Sequence, residues 1–155
     1  MPDPRAVVAK APIFSGLDAE GRERLLALGR PRHYAKGDIL FVEVQKGDEF
    51  ILILDGSVSV QIALRNSDDP YDIGLLGSGE VLGEVNLVEE GIRSATAIAE
   101  AETDVLVWDC AVLRAACDED PRLGYPLIHA VAKILAERLR KWNVRILDSA
   151  LWGIV

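Results

Sequence analysis

The spacing of apolar and polar positions changes twice along the chain. In the first thirty residues an apolar plug, Pro12-Ile13-Phe14, is followed by Asp18 and then by Leu25, Leu26 and Leu28 with charged residues between them. This spacing predicts an amphipathic helix with Asp18 as its N-cap, stopped by Gly29 and Pro31. From there to about Trp108 the period is that of strands. Ile39-Leu40-Phe41-Val42 follows a Gly37-Asp38 turn, and Phe50 to Leu54 is a continuous apolar run, as in a buried strand. Val58, Val60, Ile62 and Leu64 alternate with Ser57, Ser59, Gln61 and Ala63, the pattern of a half-exposed strand. Asp55-Gly56 between these two predicts a type I′ hairpin. Asn66 to Pro70 is a polar loop, and Ile73–Leu76, Ser94–Ala99 and Val105–Trp108 complete six to eight short strands. Such a set implies a sandwich or a roll.

After Asp109 the period lengthens. Val112, Leu113 and Ala116 fit a short helix capped by Asp109. Asp120-Pro121 opens another, with proline where its missing N–H costs nothing, and Pro126 is placed to kink it. Ile128, Val131, Leu135, Leu139, Trp142 and Ile146 then recur at steps of three and four. They predict one continuous stripe, which packs on the β part or pairs with a second copy. The expected fold is α+β: an antiparallel, jelly-roll-like β-roll over about 31–108, an N-terminal helix before it, and two C-terminal helices over about 109–149, the last one long. Residues 1–155 are expected to form a single domain.

Composition narrows the function. The chain has 155 residues, 25 acidic and 17 basic, for a net charge of −8. A protein that binds DNA needs a basic face to displace counterions, and the basic run Arg138-Leu139-Arg140-Lys141 with Arg145 reads as a solvated helix face. Cys110 and Cys117 make no metal or redox spacing, and no apolar run is long enough for a signal peptide or a membrane span. These features predict a cytoplasmic protein with no membrane and no DNA partner. His33 and His129, the two histidines, supply no clustered set for a metal enzyme. No nucleophile–base set and no phosphate-loop motif is visible, so no catalysis is expected.

The chemistry that remains lies in Leu82-Gly83-Glu84-Val85-Asn86-Leu87, closed by Arg93-Ser94-Ala95-Thr96. A short helix beginning near Glu84 would aim free N–H groups at one spot, and an arginine fork would match two phosphate oxygens. A carboxylate beside a phosphate suits a ligand that also carries a hydroxyl donor.

Three motifs in order resemble the cyclic nucleotide-binding domain family, the sensor of catabolite activator and Fnr-like regulators and of protein kinase A regulatory subunits. The first runs from Gly47-Asp48-Glu49-Phe50 to Asp55-Gly56-Ser57-Val58; the second is Gly83-Glu84-Val85-Asn86-Leu87; the third is Arg93-Ser94-Ala95-Thr96. The resemblance covers roughly residues 11 to 147. It implies that Glu84 accepts from a ribose 2′-hydroxyl, that Arg93 pairs with a cyclic phosphate, and that Ser94 donates to the phosphate or the base. Gly83 would stand where a Cβ blocks the ribose. Val85, Asn86 and Ala95 complete the cassette. Trp142, with Asn143 beside it, matches the place of a base cap on the last helix.

Leu82 replaces the family's usual aromatic, and Asn86 stands where a small residue, usually Ala, is common. The resemblance therefore implies a stand-alone sensor of cyclic AMP or, second, cyclic GMP, with no other cofactor. It would signal through its long helix, as a homodimer, to a protein partner the sequence does not identify. A degenerate or cyclic di-GMP-binding interaction module is the alternative, and a DNA-binding regulator lacking its reader domain a weaker one, since the family's DNA reader follows the long helix and this chain stops at Val155.

Overall fold

The computed structural model describes residues 1–65 and 68–152, with side chains on the final helix described through Lys141 and at Asn143. Two helices, not one, open the chain. α1 (Pro4–Lys10) is capped by Asp3, whose side chain accepts from the Arg5 N–H, and a 3₁₀ turn (Pro12–Phe14) buries Ile13 and Phe14. α2 (Ala19–Leu28) is the expected helix, with the Asp18 carboxylate accepting from the Gly21 N–H and Gly29 closing it. The sequence hides α1 because seven residues hold too few turns to display a period.

Among the described residues ten strands follow: β1 (Arg30–Tyr34), β2 (Ile39–Phe41), β3 (Lys46–Gly47), β4 (Glu49–Asp55), β5 (Ser57–Ile62), β6 (Tyr71–Gly77), β7 (Val81–Leu82), β8 (Gly91–Ile92), β9 (Thr96–Ala99) and β10 (Thr103–Asp109). A five-residue helix, α3 (Glu84–Val88), interrupts them. They form two four-stranded antiparallel sheets, β1-β10-β4-β7 and β2-β9-β5-β6, and a small ribbon, β3-β8. The chain is thus an α+β protein built on an antiparallel β-roll.

The continuous apolar run of β4 is explained by burial on both faces. Phe50, Leu52 and Leu54 join Leu106 and Trp108 of β10 in a core shared with the helices. Ile51 and Ile53 join Val105 and Val107 in a second core, between the sheets. Trp108 anchors the first core: its indole N–H donates to the Leu25 carbonyl at 2.8 Å, and Phe14 meets its ring edge-on.

The Asp55-Gly56 hairpin does not form. Of this pair only Gly56 takes a positive φ, 92°, whereas a type I′ turn needs it at both positions. β4 and β5 lie in different sheets, so this corner carries the chain from one sheet to the other. β5 is correspondingly less exposed than its alternation predicts: Ser59 is buried, as is Val58.

α4 (Cys110–Glu119) starts at Asp109, whose carboxylate accepts from the Val112 N–H. α5 (Pro121–Trp152) follows and contains Pro126. The expected single stripe on α5 resolves into two faces. Leu123, Leu127 and Val131 are fully buried against the first core, and Ile134 and Leu135 pack against it. Ile128 and Leu139 face solvent instead, Leu139 being 62% exposed. Steps of three and four had merged these two faces into one. Trp142 and Ile146 of the same stripe, Arg145, and the tail residues Leu151, Trp152 and Ile154 lie outside the described side chains.

Candidate ligand-binding site

A cavity of about 550 Å³ opens between the roll and α5, a volume suited to a small organic ligand. Its wall contains Gly83, Glu84, Val85, Asn86, Arg93, Ser94 and Ala95, together with Phe41 and Val60 from the roll and Ile134, Glu137, Arg138 and Lys141 from α5. Two motifs separated in sequence therefore meet on one surface.

Local geometry explains how. β7 ends at Leu82, and Gly83 turns the chain in the left-handed region, φ 75°, to start α3. A Cβ there would lie 2.4 Å from the Glu49 carbonyl oxygen and 2.6 Å from Arg93 Nη1. Glycine is thus required at this point by the close approach of the Glu49 backbone carbonyl, with Arg93 packed beside it, in addition to the positive φ. Val85, Ser94 and Ala95 line the cavity around this turn.

Arg93 is a buried cation, 4% exposed. Its Nη1 donates to the Glu49 carbonyl at 2.9 Å and to Asn86 Oδ1 at 3.2 Å. The guanidinium lies over the Phe41 ring at 4.1 Å, a cation–π contact. Its Nε is buried with no acceptor, and among the described residues no carboxylate pairs with it. Desolvation holds its pKa below the usual arginine range. Nearby Cys110 gives no compensating charge, because burial pushes that thiol up to about 11. A desolvated cation with no ion-pair partner among the described residues, beside an open cavity, is chemically suited to an anion.

Glu84 is buried, 2% exposed, and its charge is matched. Arg138 Nη1 of α5 donates to Glu84 Oε1, and Arg138 Nη2 reaches the Val81 carbonyl. Arg138 is not the solvated helix-face residue that the basic run predicts; it turns inward. Its sequence signal was its position seven beyond Val131 and four beyond Ile134, on the buried face of α5. Ile134, Glu137 and Lys141 line the same wall.

Asn86 lines the cavity, but its amide is engaged. Besides accepting from Arg93, it donates through Nδ2 to the carbonyls of Gly91 (3.3 Å) and Ile92 (3.5 Å). Asn143 is exposed and is not among the residues that line the cavity, while the Trp142 side chain lies outside the described ones. His33, on β1, is not among the residues that line the cavity and sits between Asp104 and Glu102. Among the described residues no group of three His, Cys, Asp or Glu could hold a metal ion.

The sequence profile of the family described as "Cyclic nucleotide-binding domain" matches residues 31–120, more than half the chain. The chain belongs to the cyclic nucleotide-binding domain family. Glu84 and Arg93, which line the cavity, both fall within the residues that the profile matches.

This domain is 29% identical over 136 residues to the cyclic AMP receptor protein of Thermus thermophilus, covering 88% of this chain and 61% of that protein. A shorter segment, 73 residues, is 38% identical to human cGMP-dependent protein kinase 2, covering 47% of this chain and 9% of the kinase. The fold matches a crystallised cyclic nucleotide-binding domain from Methylobacillus flagellatus, with a TM-score of 0.81 and 26% identity, over 93% of this chain and 80% of that one. The chain thus spans about three fifths of the length of the receptor protein it matches.

Proposed function

We infer that this domain is a sensor of a cyclic nucleotide monophosphate, cyclic AMP before cyclic GMP, and that its output passes through α5. One observation carries the reading: Arg93 is a buried cation with no carboxylate partner among the described residues, facing a cavity of suitable size. A cyclic phosphate supplies one negative charge and two exocyclic oxygens to an arginine fork. In this reading Glu84 accepts from the ribose 2′-hydroxyl with the oxygen that Arg138 leaves free, and Ser94 donates to the phosphate. Gly83, Val85 and Ala95 bring the backbone close to the ribose-phosphate. The preference for cyclic AMP rests on the longer match to a protein named for that ligand.

Output through α5 follows from the Arg138–Glu84 pair, because an occupant at Glu84 acts on a residue of that helix directly. Only a difference in affinity between two helix positions can drive a switch. The exposed Leu139 suits a homodimer built along α5. The net charge of −8 favours output by protein contact over output by DNA, and binding without catalysis is proposed. Among the described residues no helix is long and apolar enough to cross a membrane.

The deciding experiment is calorimetric titration with cyclic AMP, cyclic GMP and cyclic di-GMP. The reading expects saturable binding of a mononucleotide, cyclic AMP the tightest, lost or strongly weakened in Arg93→Ala. Binding of none of the three, or of cyclic di-GMP alone, overturns it.

A further inference from the structure

Asn86 holds the centre of a network that the ligand roles above leave unexplained. It is 3% exposed, too buried to be a surface residue. Its Oδ1 takes one hydrogen of Arg93 Nη1, and the Glu49 carbonyl takes the other. Its Nδ2 reaches the carbonyls of Gly91 and Ile92, which belong to the β3–β8 ribbon leading into Arg93. Its backbone carbonyl accepts from Arg114 Nη1 of α4 at 2.8 Å. The ribbon makes room for the amide at one place: a Cβ on Gly47 would stand 2.1 Å from Asn86 Oδ1. Every hydrogen-bonding group of this side chain is therefore engaged, and Gly47 is shaped around it.

We propose that Asn86 is a positioning residue for anion recognition: it pins Nη1 of Arg93 against the ribbon, so that the rest of the guanidinium is presented to the cavity in one orientation. A neutral amide suits the task. It satisfies a buried N–H without cancelling the charge that an anion needs, which a carboxylate in its place would do. Pre-organisation of this kind raises affinity by removing the cost of ordering a long side chain when ligand arrives. The proposal deepens the cyclic nucleotide reading and rests on it for its ligand.

The test combines three measurements. In calorimetry with cyclic AMP, Asn86→Ala is expected to weaken binding about tenfold, the order of one hydrogen bond to a charged group. In the Arg93→Ala background the same change is expected to add nothing, whereas equal losses in both backgrounds would mean a general structural role and overturn the proposal. Gly47→Ala serves as an independent variant. It should reduce affinity and melting temperature in the parent but be harmless beside Asn86→Ala, where the obstructing amide is gone. Equal damage in both backgrounds also overturns it. The third measurement needs no ligand: nitrogen-detected NMR of the Arg93 guanidinium, expected to rotate slowly in the parent and faster in Asn86→Ala. If the parent binds no cyclic nucleotide, the functional reading fails while this measurement still decides the role of Asn86. Unchanged rotation rejects it.

Discussion

Arg138 of α5 is ion-paired with Glu84 of α3, 54 positions earlier in the chain. The pair ties the long helix to the cavity wall. Its two ends differ in setting: the glutamate side chain is 3% exposed and the arginine side chain 40%. Removing the arginine leaves a buried carboxylate uncompensated, a loss reduced by the solvent that screens the other end. We expect Arg138→Ala to cost about 1–2 kcal/mol, between the values for exposed and for buried pairs. That corresponds to a melting point lower by about 2–8 °C in a domain of this size. Scanning calorimetry of the ligand-free protein checks this, and an unchanged melting point would mean that the pair contributes nothing.

The same carboxylate is the proposed acceptor for the ribose hydroxyl. Cyclic AMP lacking its 2′-hydroxyl should therefore bind the parent less tightly than cyclic AMP, by about 10–150-fold for one bond to a charged group. Glu84→Gln should narrow that gap, since an amide oxygen is a weaker acceptor than a carboxylate. The comparison is a cycle of two ligands and two proteins. A gap of the same size in parent and variant assigns the hydroxyl to another residue.

Arg93→Ala separates binding from stability. The variant loses the charge that meets the phosphate, and cyclic AMP affinity should fall by about 10–150-fold. Stability should hardly change. The lost hydrogen bonds and the stacking on Phe41 are offset by relief from burying an unpaired cation. Titration and calorimetry on the same preparation read both quantities. A large fall in melting point with unchanged affinity would make Arg93 a structural residue.

How far the sequence revealed this arrangement depends on how local the deciding physics is. Asp18 and Asp109 were legible as caps because a cap is settled within three residues. Glu84 and Arg93, which line one cavity, were singled out together because their residue types carry the proposed chemistry. The Asp55-Gly56 corner misled because its turn residues fit a hairpin, while the choice of sheet for β5 is made by distant β9 and β6. Arg138 was hidden within a run of basic residues. Only the rotation of α5, set by Leu123, Leu127 and Val131 in the core, turns it inward and its neighbour Leu139 outward. The engagement of Asn86 depends on the space left at Gly47, which no spacing in sequence encodes.

A pH dependence follows from His33, whose ring nitrogens lie 2.8 Å from Asp104 and 2.9 Å from Glu102. Hydrogen bonding, first to Asp104 and then to Glu102, raises the His33 pKa above its ordinary value. A raised folded-state pKa gives stability that is fully present below the unfolded value, about 6.5, and is lost as pH rises through the folded value. Asp104 is shifted the other way, first by its bond to His33, so its share is lost as pH falls through its depressed folded value. The melting-point advantage of the parent over His33→Gln should thus be largest in mildly acidic buffer and shrink on raising the pH past neutrality. The cluster is exposed at His33 and Glu102, so the advantage should also shrink in high salt. An advantage independent of pH between 5 and 9 would remove the charged pair from the account.

Leu139 and Arg138 are adjacent in sequence and point to different surroundings, which allows the two proposed roles of α5 to be separated. Arg138 turns into the cavity. Leu139 is 62% exposed and shares its outer side with Ile128, 37% exposed. Ile128 and Leu139 are eleven positions apart, about three helical turns, so they share one side; a helix gains by covering such apolar side chains, and a second copy presents the same side by symmetry. We expect the parent to sediment as a dimer at micromolar concentration. Leu139→Glu should shift it to monomer, because two introduced carboxylates would face each other across the seam. Since Leu139 does not line the cavity, each protomer should keep its affinity for cyclic AMP to within a few-fold. Arg138→Ala should do the reverse, remaining dimeric while binding less tightly. Sedimentation equilibrium and calorimetry on both variants give four numbers. A parent that is monomeric at 100 micromolar, or a Leu139→Glu protein that stays dimeric, would place the seam elsewhere on the domain.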